Sequence, residues 1–306
     1  MTQTRTRPAP AAKNKRPPTT RATPTVMRRR VGSQMRRWRG PMPSGVAAKL
    51  MGWDSVKLGR IERGLYKISA DEVREYAGLL GITDTRAIEA VAEAAEEPLA
   101  ASNGAWWKAY DGRVSSSLLD FVQLEARAKE VKTHHPVVIP GALQSPGYAR
   151  EIIAASPRTE ELAKTVELRI NMRLARQEIL TRTDDPVDFH ALVPESAFHA
   201  RFRDPTIMRD QLRKLIDVSK QPNVTLQIVP LTAHPFYGSD GPATILGFDY
   251  PWVKVGSIDN SFGGSHTEDP DEVAFLETGF EQIASIALPV DRSRDLLIQH
   301  LEGSNK

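Results

Sequence analysis

The stretch from Ser44 to Gly64, SGVAAKLMGWDSVKLGRIERG, limits what this chain can fold into more than any other part of it. Ala47, Ala48 and Leu50 give a first short helix a small apolar face. Gly52 then supplies a residue that enters the left-handed conformation of a helix end without steric cost. Asp54 or Ser55 caps a second helix whose inward residues are Leu58 and Ile61. Small residues between two crossing helices, followed by a glycine turn, are the requirements of a helix-turn-helix. Gly59, inside the second helix, costs about 1 kcal/mol of helix propensity relative to alanine.

The flanking sequence extends this unit. Met27–Arg39 (MRRRVGSQMRRWR) carries Val31, Met35 and Trp38 at helical spacing, with arginines on its other faces, and Pro41 and Pro43 end it. Ser69–Leu80 opens with a capping-box pattern, in which Ser69 caps and Glu72 reaches back. Val73, Tyr76, Ala77 and Leu80 form its buried stripe, and Gly81 stops it. Thr83–Glu97 is a fifth helix with Ile88, Val91, Ala92 and Ala95 inward. The expectation is one all-α five-helix domain over residues 27–97, a linker over 98–104 (PLAASNG), and a second domain over 105–303.

In the second domain the pattern is mixed. Helices are expected at Ser117–Val131, Gly147–Ala155, Glu160–Arg182 (one long helix), Met208–Ser219 and Pro270–Ala287, with a last turn at Leu296–Leu301. Val137–Leu143 reads as irregular and buried. Alternation of period two marks strands at Val187–Val193, Asn223–Pro230, Ala243–Phe248 and Val253–Ile258, the last two joined as a hairpin around Asp249–Trp252. Strands clustered between helices predict an α+β domain with a small mixed sheet.

Charge is distributed unevenly. Residues 1–40 hold twelve Lys or Arg and no acid, whereas the remainder holds 29 basic and 38 acidic residues. Residues 1–26, rich in Pro, Thr, Arg and Ala, lack apolar periodicity and are expected to be a disordered basic tail. Such an arm suits a polyanionic partner, and the first-helix arginines are expected to add salt-sensitive affinity. The tail has no apolar core of a signal peptide, no run reaches the length of a membrane span, and cysteine is absent. A cytoplasmic protein without thiolate chemistry is expected.

The run GWDSVKLGRIERG, followed by SADEVREYAGLLGITD, resembles the repressor-type helix-turn-helix domain of the xenobiotic-response-element family. That resemblance implies that Asp54 starts the recognition helix and that Ser55, Val56, Lys57 and Arg60 face double-stranded DNA. The chain departs from the family pattern at Ser44, where a glutamine is usual, and at Gly59. The phrases HPVVIPGALQSPGYAREI, RLARQEILTR, PNVTLQIVPL and DGPATILGF resemble the uncharacterised domain that follows this helix-turn-helix in many actinobacterial regulators, over roughly residues 105–300. Genes of that family often sit beside one for a short partner protein, in an arrangement likened to toxin–antitoxin pairs. The expected function is a dimeric DNA-binding transcriptional regulator, the alternative an antitoxin-like protein that mainly binds a small protein encoded nearby.

The chemistry of single residues fits this frame. Arg60 has the fork that pairs bidentately with guanine O6 and N7, Ser55 serves base edges or phosphate, and Val56 suits a thymine methyl. Lys57 and Ser44 are better placed for phosphate. Glu62 and Arg63 read as anchors of the helix end. In the second domain Glu125 falls on an apolar helix face and needs a partner, which Arg169, Arg173 and Arg176 on the long helix can supply. That group is either a structural ion pair or the lining of a site for a small anionic effector or a partner peptide. The aromatic cluster Trp106, Trp107 and Tyr110 reads as inter-domain packing or a ligand cage. The seven histidines, with His134-His135 adjacent and His190 and His199 nine apart, suggest packing roles and no metal site. Asp184-Asp185-Pro186 is ordinary turn chemistry. Neither those aspartates with Glu195 nor the FGGSH loop suggests catalysis, and no cofactor is expected.

Overall fold

The computed structural model describes residues 25–100, 106–156, 159–233, 241–260 and 263–303. Residues 1–24 of the expected tail, residues 101–104 of the expected linker and residue 105 lie outside them. The chain forms an N-terminal helical region followed by a domain of helices and a six-stranded mixed sheet. No single helix among the described residues is long and apolar enough to cross a membrane.

The N-terminal region consists of α1 (Val26–Arg39), α2 (Ser44–Leu50), α3 (Ser55–Glu62), α4 (Ala70–Leu79) and α5 (Thr85–Ala100). Side-chain caps set the starts. The Thr25 hydroxyl accepts from Arg28 N, Asp54 accepts from Lys57 N at 2.6 Å, and Ser69 and Glu72 form the full capping box. Gly52 and Gly64 close turns with φ of +64° and +69°, where a side chain would be strained. Val31, Met35, Ala47, Ala48, Leu58, Ile61, Val73 and Tyr76 are buried together. α5 continues to Ala100, so helix enters the stretch expected to be linker.

Two glycines on neighbouring helices have opposite surroundings. A Cβ on Gly32 of α1 would lie 2.3 Å from Ile61 O and 2.7 Å from Glu62 O, so α1 and α3 approach through a bare backbone. A Cβ on Gly59 of α3 would meet nothing within 4 Å. Gly59→Ala is therefore expected to stabilise the chain by about 0.5–1 kcal/mol, raising the thermal midpoint.

The second domain contains α6 (Ser116–Glu125), α7 (Pro146–Ala154), α8 (Glu160–Lys164), α9 (Val166–Ala175), α10 (Thr206–Val218), α11 (Pro270–Ile286) and α12 (Val290–Gly303). Its strands are β1 (Glu130–His134), β2 (Asp188–Pro194), β3 (Val224–Val229), β4 (Ala243–Gly247), β5 (Val255–Asn260) and β6 (Gly263–Thr267), in the order β3-β2-β1-β4-β5-β6. The β1/β2 and β2/β3 pairs are parallel, and the remaining pairs antiparallel. Period-two alternation assigns the faces. Leu192 and Ile245 pack on Val273, Phe280 and Ile283 of α11. Phe189, Ala191, Val193, Leu226, Ile228 and Leu246 share the main core with Leu143, Tyr148, Leu212, Leu215 and Leu297.

Four strands match the sequence reading, and two were missed. The expected helix Ser117–Val131 stops at Glu125, and Glu130–His134 is instead β1, in the middle of the sheet. The expected FGGSH loop supplies β6, an edge strand held by β5. The expected long helix Glu160–Arg182 breaks into α8, α9 and a 3₁₀ turn at Arg176–Leu180. α12 is a full helix rather than a last turn.

Candidate functional site

The inner side of α3 is closed, with Leu58 and Ile61 at most 1 % exposed, while Val56 on its first turn is 55 % exposed. Ser55 is exposed beside it. Lys57 and Arg60 are tethered within their own region. Lys57 Nζ lies 3.1 Å from Glu72 Oε1 and 3.9 Å from the Trp53 ring centroid. Arg60 donates to the Tyr66 hydroxyl and lies over that ring. Ser44, half-buried, is the first residue of α2, which Pro43 precedes. Glu62 does anchor the helix end: Arg39 Nε and Nη2 donate to its two carboxylate oxygens at 2.6 and 3.0 Å. Arg63 Nε donates back to Gly59 O at 2.8 Å.

The α1 arginines were expected on the outward faces, and Arg36 and Arg37 are exposed there, but Arg30 departs from that reading. Arg30 is 4 % exposed. It lies 3.9 Å over the Phe248 ring centroid and 5.2 Å from that of Trp252, donates from Nη2 to Val253 O at 2.9 Å, and faces Glu268 at 3.2 Å. Burial pushes its pKa down to about 10, with Glu268 opposing. Arg29 pairs with Asp120 of α6, and Arg37 lies 3.6 Å from Glu268. Tyr250 also donates its hydroxyl proton to Asp84, between α4 and α5. Thus α1 belongs to the N-terminal core on one side and is gripped by the second domain on the other. No sequence signal marks this interface, because its partners lie at least 91 residues apart.

The acid on the apolar face of α6 finds its expected partner. Arg176 donates from Nε and Nη2 to Glu125 at 2.7 and 2.9 Å, the side chains being 12 % and 5 % exposed. The fork fits because the chain tightens into the 3₁₀ turn at Arg176. Burial works against the Arg176 charge, and Glu125, helped by Asp259, more than restores it, so the pKa lies above the ordinary value. Arg173 is brought near but bonds elsewhere, donating to Gln144 Oε1 at 2.7 Å. Burial, then Arg176 and Arg169, push its pKa down to about 10, with Asp259 and Glu125 opposing. Arg169 is half-buried and adds its charge to the cluster.

Trp106 and Trp107, Val122, Glu125, Arg176 and Arg182 line a cavity of about 200 Å³. Trp106 and Trp107 of the aromatic cluster thus meet Glu125 and Arg176 of the acid–arginine cluster at one site, whose lining does not include Tyr110, Arg169 or Arg173. The volume is below the roughly 300–1,000 Å³ of an ordinary small-molecule pocket, and suits a side chain or a small polar group. α6 joins this cavity to α1, because it carries both Glu125 and Asp120.

Three of the histidines pack within the fold. His134 Nδ1 is 3.4 Å from Leu192 O, His135 Nδ1 accepts from Val137 N and Val138 N, and His190 Nε2 is 2.8 Å from Gln227 Oε1. Burial lowers the pKa of all three. Asp185 takes a positive φ of 63° and pairs with Lys129, as a turn residue does.

An N-terminal helical region leaning on a helix-and-mixed-sheet domain therefore defines the class of this protein. Residues 118–299, more than half of the chain, match the family described as Domain of unknown function (DUF5753), and the chain belongs to that family. No curated protein and no solved structure matches it.

Proposed function

We propose that this chain is a sequence-specific DNA-binding regulator of transcription, with a repressor-type helix-turn-helix of the xenobiotic-response-element class in residues 27–97. The observation that carries the proposal is α3. It is capped by Asp54, reached through the positive-φ turn at Gly52, sealed inward by Leu58 and Ile61, and open outward at Ser55 and Val56. A short helix of this build enters a major groove and offers its N-terminal residues to base edges. Arg60 and Lys57 join them once DNA displaces the surface contacts to Tyr66 and Glu72. A dimer would read a two-fold-related site.

The second domain acts on this reading head through α1. An effector or a partner protein engaging the Trp106–Arg176 cavity bears on α6, whose Asp120 holds Arg29 of α1. α1 in turn packs against the end of α3 at Gly32. Occupancy of the cavity shifts DNA affinity by biasing that contact. Selection from random duplexes with the full chain tests the reading: one enriched, two-fold-related motif is expected, and unenriched recovery would contradict it.

A further inference from the structure

The 3₁₀ turn beyond β2 and the end of the last helix together hold two imidazoles and a carboxylate. Glu195 and His199, four residues apart, occupy the 3₁₀ turn Glu195–His199 that follows β2, and His300 sits in the last turn of α12. The carboxylate and the two ring nitrogens all lie within 4.8 Å of one another. His300 Nε2 is 3.2 Å from Glu195 Oε1, and the His199 and His300 rings meet edge to face with centroids 5.3 Å apart. Four-coordinate zinc with bonds of about 2.0–2.2 Å holds neighbouring donor atoms about 3.3 Å apart. The Glu195–His300 pair is already at that spacing. His199 is exposed, so a side-chain rotation brings its nitrogen the rest of the way.

We propose that Glu195, His199 and His300 bind a divalent transition metal of the zinc type, which pins the C-terminal helix to the end of β2. Two imidazoles and one carboxylate form a three-ligand donor set that suits zinc and leaves a fourth position to water. The carboxylate is pre-oriented, since Leu231 N donates to Glu195 Oε2 at 2.8 Å, and outer contacts of this kind tune metal sites. The other end of α12 is already fixed, because Ser293 is fully buried and its Oγ accepts from Ile228 N of β3 at 2.9 Å. The metal fastens the far end, joining residues 105 positions apart. The sequence hides this site because His300 lies 105 positions from Glu195, and a lone Glu195–His199 spacing does not mark a metal site.

The test uses tag-free full-length chain, dialysed against zinc and assayed for bound metal and thermal midpoint, with Co²⁺ as a spectroscopic stand-in. One equivalent of zinc is expected, with a midpoint several degrees higher and the visible bands of four-coordinate Co²⁺. His199→Gln, at an exposed position that leaves the fold intact, is expected to weaken zinc binding at least about tenfold and abolish the midpoint shift. His300→Gln should do the same, and His190→Gln should not. Absence of bound zinc at micromolar free metal overturns the proposal, as does binding that His199→Gln and His300→Gln leave unchanged.

Discussion

Glu125→Leu is expected to destabilise the chain by about 3–5 kcal/mol, because it strands the Arg176 guanidinium without its counter-charge. The pair is nearly buried on both sides, so water cannot replace the lost carboxylate. Arg173 raises the cost further, since Glu125 opposes its charge too, with Asp259 offsetting part of it. The double variant Glu125→Leu/Arg176→Met should recover most of the loss, because replacing a whole buried pair by apolar groups is often near neutral. Urea denaturation at constant slope measures both. A single variant no less stable than the double would mean that Arg176 reaches solvent and that the cluster is not a sealed ion pair.

Gly32→Ala is expected to cost about 3 kcal/mol, at the upper end of overpacking effects, against a helix-propensity gain of about 1 kcal/mol. The obstructing atoms are the carbonyl oxygens of Ile61 and Glu62, backbone groups that cannot rotate aside. α1 must then withdraw from the end of α3, which loosens the Arg39–Glu62 fork as well. The sign separates this account from one based on propensity alone, which predicts that both Gly32→Ala and Gly59→Ala stabilise. Thermal midpoints of the two variants, run side by side, should move in opposite directions.

Much of the N-terminal region was legible because its signals are local. Caps at Asp54 and Ser69 act on amides three residues away, and the turn at Gly52 needs no distant partner. β1 was not legible for the opposite reason. Its alternation is carried partly by Glu130 and Lys132, which are satisfied by Lys254 and Glu277 of distant elements, so the segment reads as a helix tail. β6, GGSHT, has little strand propensity of its own and exists through its pairing with β5. In the arginine cluster, a buried acid on an apolar face announced its need for a cation. Which arginine answers depends on the break at Arg176, which helical periodicity does not show.

The central claim is that α3 reads DNA, and an anisotropy titration tests it most directly. The probe is duplex from upstream of the gene, with scrambled competitor at near-physiological salt, against the wild-type chain and Arg60→Ala. The account predicts specific binding that falls about 5- to 150-fold in the variant, the 1–3 kcal/mol of a bidentate base contact. Binding that ignores both the sequence and the substitution, and fades steeply with salt, would contradict it and leave phosphate attraction as the whole of the affinity.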